Sequence, residues 1–156
     1  MKTDRGDWFA GFADGESCFA IGTHSRRGGA SPRFVLVLRA DDLAILEALR
    51  EQFGGGVYHR SLVGTASRNP GYQWQVGSKR DLMRLVRYFD DHPLRTRKAQ
   101  DYAIWRRAVL AYCRHGRNAS EMPALELALK EAHRFNVDEV ELPSSEEIYE
   151  QLGMED

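Results

Sequence analysis

Two cysteines, Cys18 and Cys113, are all that the chain contains, too few for a disulfide framework. Cys113 and His115 have no second ligand pair at metal spacing, which excludes a structural zinc site, and both cysteines are expected as small buried apolar residues. Long hydrophobic runs are missing as well. The stretch most like a membrane span, Phe34-Val35-Leu36-Val37-Leu38, is far shorter than the roughly 20 residues a bilayer demands, so no membrane partner is expected. Met1-Lys2-Thr3-Asp4-Arg5 leads into no signal-type apolar segment, so the expected compartment is a cytoplasm or an organelle matrix. Only 5 Pro and 14 Gly occur among 156 residues, a globular rather than low-complexity composition.

Net charge is also scarce, −1 overall, which on its face argues against a nucleic-acid partner. The total hides an asymmetry. Residues 118–156 hold 2 Lys/Arg against 11 Asp/Glu, which leaves 20 against 12 in residues 1–117. A body of net +8 with an appendage of net −9 points to nucleic-acid binding by the body. The expected organisation is a core over residues 1–117 and an acidic helical extension over residues 118–156, packed on the core and away from the nucleic acid.

Strand and helix signals alternate along the body. A helix is expected over Asp7–Gly15, then a hairpin of Cys18–Thr23 and Arg33–Arg39 around a polar loop. Asp41 or Asp42 caps a second helix with Leu46, Leu49 and Phe53 inward, which Gly54-Gly55-Gly56 stops. A second hairpin, Val57–Leu62 and Tyr72–Val76, precedes a helix opened by Ser78 and Asp81, with Leu82, Leu85, Val86 and Phe89 inward. Beyond Thr96 the pattern is helical, with Tyr102, Trp105, Val109 and Tyr112 on one stripe and Leu125, Ala128, Leu129, Ala132 and Phe135 on another. Ser144 and Glu147 open a last short helix ending near Leu152.

The segment that carries chemistry is Trp8-Phe9-Ala10-Gly11-Phe12-Ala13-Asp14-Gly15-Glu16-Ser17. Gly11 and Gly15 share a helical face, with Ala10 nearby, and small residues let a second helix approach closely. Asp14 and Glu16 follow at the junction of helix and strand. Carboxylates brought together where two such helices meet are hard oxygen ligands for Mg²⁺, which activates water and stabilises a phosphoryl transition state.

Phe9–Ser17 resembles the nine-residue signature of the LAGLIDADG homing endonucleases, with Glu16 for the commoner Asp and Ser17 for the last Gly. The similarity runs over about residues 7–115, through Phe53-Gly54-Gly55-Gly56, Tyr72-Gln73-Trp74-Gln75-Val76 and His92-Pro93-Leu94…Lys98…Asp101-Tyr102. It implies an α+β αββαββα fold with a saddle-shaped antiparallel sheet, and extra C-terminal helices here. It also implies cleavage of double-stranded DNA with Mg²⁺, Mn²⁺ or Ca²⁺ being able to occupy the same site. By the resemblance Glu16 binds metal with the carbonyl of Gly15, and Asp14 stabilises the helix end. Lys98 or Arg97 supplies the catalytic cation, and Arg39 stands where Gln is frequent near the scissile phosphates. The chain holds one signature, so the resemblance implies a homodimer, with Ala10, Gly11, Asp14 and Gly15 at the interface and a near-palindromic target.

Strand alternation assigns the DNA surface. In the first hairpin Phe19, Ile21, Phe34, Leu36 and Leu38 fit inward, leaving Ala20, Gly22, His24, Arg33, Val35, Val37 and Arg39 outward. In the second, Tyr58, Trp74 and Val76 fit inward, leaving Val57, His59, Ser61, Gln73 and Gln75 outward. In the major groove Arg reads guanine, Gln reads adenine and apolar groups meet the thymine methyl. Arg26, Arg27, Arg60 and Arg68, at hairpin tips, suit phosphates. A non-cleaving DNA-binding regulator on the same fold, or an RNA-splicing maturase, is the alternative, and the acid at Glu16 favours the enzyme.

Overall fold

The alternation of helix and strand signals folds into an open four-stranded antiparallel sheet that carries its helices on one face. The computed structural model describes residues 5–60 and 71–134. The elements are α1 (Arg5–Glu16), β1 (Ser17–Thr23), β2 (Ala30–Arg39), α2 (Leu43–Phe53), β3 (Gly56–Arg60), β4 (Gly71–Val76), α3 (Lys79–Asp91), α4 (Lys98–His115) and α5 (Met122–His133). The sheet order is β1-β2-β4-β3. Ser61, Arg68, Phe135 and the helix expected near Leu152 lie outside the described residues. No helix among the described residues is long and apolar enough to cross a membrane.

Local chemistry sets most boundaries. The Ser78 side chain accepts a hydrogen bond from the Asp81 N–H at 3.2 Å, the capping expected of that pair, and α3 follows. At the end of α2, Gly54 and Gly55 take φ of +86° and +79°, which residues with a Cβ rarely adopt. Asp81 grips that turn by accepting from the Gly55 N–H at 3.2 Å, and Trp74 donates its indole N–H to the Gly54 carbonyl at 2.9 Å. β2 begins three residues earlier than expected, at Ala30. Pro32 is tolerated there because β2 pairs with β4 only from Phe34 onward.

The core is aromatic. Phe9, Phe19, Phe34, Trp74, Phe89 and Trp105 are each at most 2% exposed and join α1, α3 and α4 to the sheet. Rings meet edge-on or tilted, as Phe34 and Trp74 do at 5.5 Å between centroids, the arrangement their quadrupoles favour. Full burial stabilises each by about 1.5–3 kcal/mol. A second cluster of Ile21, Ala30, Ala108, Ala111, Met122, Leu125 and Leu129 docks α5 onto α4 and the first hairpin. Between α3 and α4 the Asp90 carboxylate accepts from Tyr102 Oη at 2.7 Å and from Arg106 Nε and Nη2 at 2.9 and 2.8 Å. The Arg106 hydrogen bonds hold the Asp90 carboxyl below its usual range against the opposing effect of burial, and the Tyr102 bond adds to them.

Candidate active site and nucleic-acid interface

α1 is apolar on two sides. Phe9, Ala10 and Ala13 are buried in their own chain. Trp8 is 51% exposed and stacks on Phe12 at 5.3 Å. Gly11 and Gly15 are exposed, and a Cβ built on either meets none of the described residues within 4 Å. The expected place of Ala10 is beside them. It is instead 6% exposed, with its N–H donated to Tyr88 Oη at 3.2 Å, because one residue turns a helix by about 100°.

The acids of α1 part company. Asp14 accepts from the Arg95 and Thr96 N–H groups, both at 3.0 Å to Oδ2, and from Thr96 Oγ1 at 2.6 Å to Oδ1. Its carboxylate therefore ties the end of α1 to the loop that opens α4. Glu16, the last residue of α1, is exposed and forms no ion pair or side-chain hydrogen bond with any described residue. A bare carboxylate at the negative end of a helix dipole is unfavourably placed unless a cation joins it.

The Asp14 tie delivers Lys98 to the same end of the sheet. The Lys98 ammonium donates to the backbone carbonyl of Ser17, the residue after Glu16. Ser17 is itself fixed, 5% exposed, with Oγ donating to the Ala13 carbonyl at 2.6 Å. Arg97 is exposed at the N-cap of α4. Of the two candidate cations, Lys98 is the one turned toward Glu16's end of β1. Arg39 closes β2 in an exposed pair with Asp41 at 3.5 Å, an attachment worth little.

On the sheet face opposite the helices the four described strands present no acid, since none of them contains Asp or Glu. Register arranges it in rows: Cys18, Val35, Gln75 and Gly56; then Val37, Gln73 and Tyr58; then Arg39, Gly71 and Arg60. Toward the first hairpin's tip lie Ala20 with Arg33 and Gly22 with Ser31. Gly22 leaves room for the Arg33 guanidinium, which a Cβ would meet at 3.3 Å. His24 Nε2 and Ser31 Oγ are 2.7 Å apart, and Arg26 and Arg27 are exposed in the turn beyond. Gln73 Nε2 donates to Gln75 Oε1 at 3.0 Å, so the two amides present themselves as one unit.

In β3 the expected face is reversed. Val57 pairs with the buried Trp74 and packs on the core, and His59 pairs with Tyr72, so both lie on the helix side. Tyr58, 58% exposed, and Arg60 take their places beside Gln73 and Gly71. Cys18 likewise is exposed rather than buried, because Ser17 and Phe19 on either side of it point inward. Partial burial pushes its thiol pKa up, against the opposing pull of Lys98 and Arg33. Cys18, Ser31 and Tyr58 are face residues that the sequence reading missed.

A family model described as LAGLIDADG endonuclease matches residues 9–109. A probable intron-encoded endonuclease, Cox1-I1b, of Schizosaccharomyces pombe is 28% identical over 107 residues, covering 66% of this chain and 26% of that protein. A probable intron-encoded endonuclease 3 of Neurospora crassa is 32% identical over 107 residues, covering 65% and 19%. The chain thus spans about a quarter or less of the length of these curated relatives. Among solved structures, the homing endonuclease I-TnaI superposes with a TM-score of 0.68 at 29% identity, over 88% of this chain and 93% of that one. The meganuclease I-AabMI, bound to uncleaved DNA, shares the fold at a TM-score of 0.66 and 20% identity, over 96% and 49%. With the signature helix, the open sheet and the matched span in agreement, the chain belongs to the LAGLIDADG endonuclease family.

Proposed function

We propose that this protein is a site-specific double-stranded DNA endonuclease that works as a homodimer with a divalent metal. The observation that carries the reading is α1, whose outward face of Gly11 and Gly15 has no partner among the described residues and ends in Glu16, which none of those residues engages. A helix apolar on both sides is built to be buried on both. A second copy of α1 covers the open side, and a two-fold axis there sets one Glu16 near the other.

Within one protomer the described residues form no cluster of three or more His, Cys, Asp or Glu that could hold a metal. The donor set fits a shared site: Glu16 and the Gly15 carbonyl are hard oxygen ligands, and two protomers double them. Bound Mg²⁺, or Mn²⁺ or Ca²⁺ in its place, supplies Lewis-acid stabilisation of a phosphoryl group and a more acidic water. Lys98, anchored on Ser17, adds a fixed positive charge where phosphate charge develops, and the exposed Arg39 and Arg97 hold the strand. The acid-free sheet face enters the major groove, with Val35, Val37, Gln73, Gln75 and Tyr58 over base edges and Arg26, Arg27, Arg33 and Arg60 toward guanines or phosphates.

The test is selection of a bound duplex from a randomised library, followed by incubation with Mg²⁺ or with EDTA. Both strands are cut in Mg²⁺ only, and Glu16→Gln binds as wild type does but does not cut. Full nicking by the Gln variant removes Glu16 from the reaction. Selective binding with no cleavage in any of the three metals makes the protein a regulator instead.

A further inference from the structure

We propose that His133 is a positioning residue for Lys98, acting by occupying the Asp101 carboxylate that otherwise competes for the lysine. The inference rests on the endonuclease reading for its consequence, not for its geometry. Asp101 lies three residues after Lys98 on α4, so the two side chains rise from the same side of the helix. With Gly15 and His133 they line one cleft of about 320 Å³. Both charges reach the Cys18 thiol, Lys98 lowering its pKa and Asp101 raising it.

Asp101 is 14% exposed at its side chain, and the described residues satisfy only one of its two oxygens. Oδ2 lies 3.3 Å from His133 Nε2, whereas Oδ1 is buried and has no hydrogen-bond partner among the described residues. A desolvated carboxylate in that state draws the nearest donor. His133 meets that demand from α5, which lies beyond the span of residues 9–109 matched by the family model. Lys98 is thereby left to the Ser17 carbonyl, next to Glu16. Without His133, the Lys98 ammonium swings one turn along α4 onto Asp101 and leaves the end of β1. The C-terminal extension thus acts at the catalytic end of the protomer, through the last residue of α5.

The experiment uses the full chain with His133→Ala, His133→Gln, Asp101→Asn and the double variant Asp101→Asn/His133→Ala. One arm follows the Lys98 Nζ resonance by nitrogen-15 NMR in the free protein, assigned with Lys98→Arg. The other measures affinity and single-turnover cleavage in Mg²⁺ of a duplex selected from a randomised library. His133→Ala is expected to move the Lys98 resonance and slow cleavage by about 10- to 100-fold, the usual range for a residue that orients another, with affinity within about twofold of wild type. His133→Gln, which keeps an N–H donor, recovers most of the rate. The double variant cleaves faster than His133→Ala alone, because the competing carboxylate has gone. If His133→Ala fails to fold, His133→Leu keeps the bulk without the donor and takes its place. A wild-type rate and an unmoved Lys98 resonance in His133→Ala overturn the proposal, as does a double variant as slow as the single. If wild type cuts no duplex at all, the endonuclease reading falls, and the resonance alone decides the positioning.

Discussion

Replacing Gly11 separates what α1 does inside a protomer from what the proposed dimer asks of it between protomers, because the two effects carry opposite signs. Gly11 lies in mid-helix, and a Cβ there meets none of the described residues within 4 Å. Gly11→Ala therefore stabilises the isolated protomer by about 0.5–1 kcal/mol, the ordinary gain of removing a helical glycine. At a helix crossing the same position is crowded. Each leucine forced into a packed interface costs about 1–3 kcal/mol, and a two-fold interface receives two. Gly11→Leu should then weaken association by about 2–6 kcal/mol, roughly 30-fold to 10⁴-fold in dimer dissociation constant. Sedimentation across a dilution series measures it directly. Trp8 gives a second readout, being 51% exposed while Trp74 and Trp105 are fully buried. Iodide quenching of tryptophan fluorescence should rise as wild type is diluted and start high in Gly11→Leu. Urea unfolding at the lowest concentration gives the protomer stability. A leucine variant that associates like wild type, or an alanine variant whose protomer is less stable, refutes the placement of this face at a helix pair.

Three further outcomes follow from the site. Cys18 lies on the sheet face proposed to meet DNA and Cys113 makes its only described polar contact with the Lys79 carbonyl on α3, so bound duplex should protect Cys18 from alkylation and leave Cys113 unchanged. Because its thiol pKa is raised, free Cys18 should react more slowly at neutral pH than an unhindered cysteine. Neutralising Arg33 should flatten the salt dependence of binding by about one unit for each phosphate it no longer neutralises, whereas Gln73→Ala should change sequence preference with little change in slope. Asp90→Asn should cost about 1–2 kcal/mol, discounted because the Asp90 side chain is 37% exposed. The Asp90 carboxyl is held below the ordinary 3.8, so its contribution is present above that pH and is lost as the pH falls through its lower folded value. Urea midpoints of wild type and variant should therefore stay apart from neutral pH down to about 4 and converge below it; convergence at pH 6 would contradict the assignment.

Helices with a wide apolar stripe were legible residue by residue. Leu82, Leu85, Val86 and Phe89 recur at three- and four-residue spacing, and all four are buried. The first hairpin was legible because Phe19, Phe34 and Leu36 alternate against residues too polar or too small to compete for the core. β3 was not. Its short run Val57-Tyr58-His59 offers an apolar side chain on either parity, and the larger ring looks like the core residue. What decides the parity is the turn before it, where Gly54 and Gly55 at positive φ and the Asp81 hydrogen bond set Gly56 opposite Gln75. A slip of one residue exchanges the faces of a whole strand, so Tyr58 goes to the solvent side over Gly56, where no side chain obstructs its ring.

The same angular arithmetic explains why the signature helix was half readable. Successive helical residues are about 100° apart, so Asp14 and Glu16 diverge by about 200° although they are sequence neighbours but one. Composition shows two acids together; geometry sends one into its own chain and leaves the other without a side-chain partner among the described residues. Asp14 has three donors in the Arg95–Thr96 loop and can be given up to structure without loss of chemistry. That commitment also bears on how the two neighbouring cations are directed. Holding Thr96 fixes where α4 starts, and a one-residue shift in that start would put Arg97 in the direction that Lys98 takes. With the loop tied, Lys98 turns to the Ser17 carbonyl and Arg97 to solvent. The fold thus uses one carboxylate of the motif to aim a lysine at the neighbourhood of the other, a relation that joins residues 81 and 82 positions apart and so leaves no trace in any local pattern.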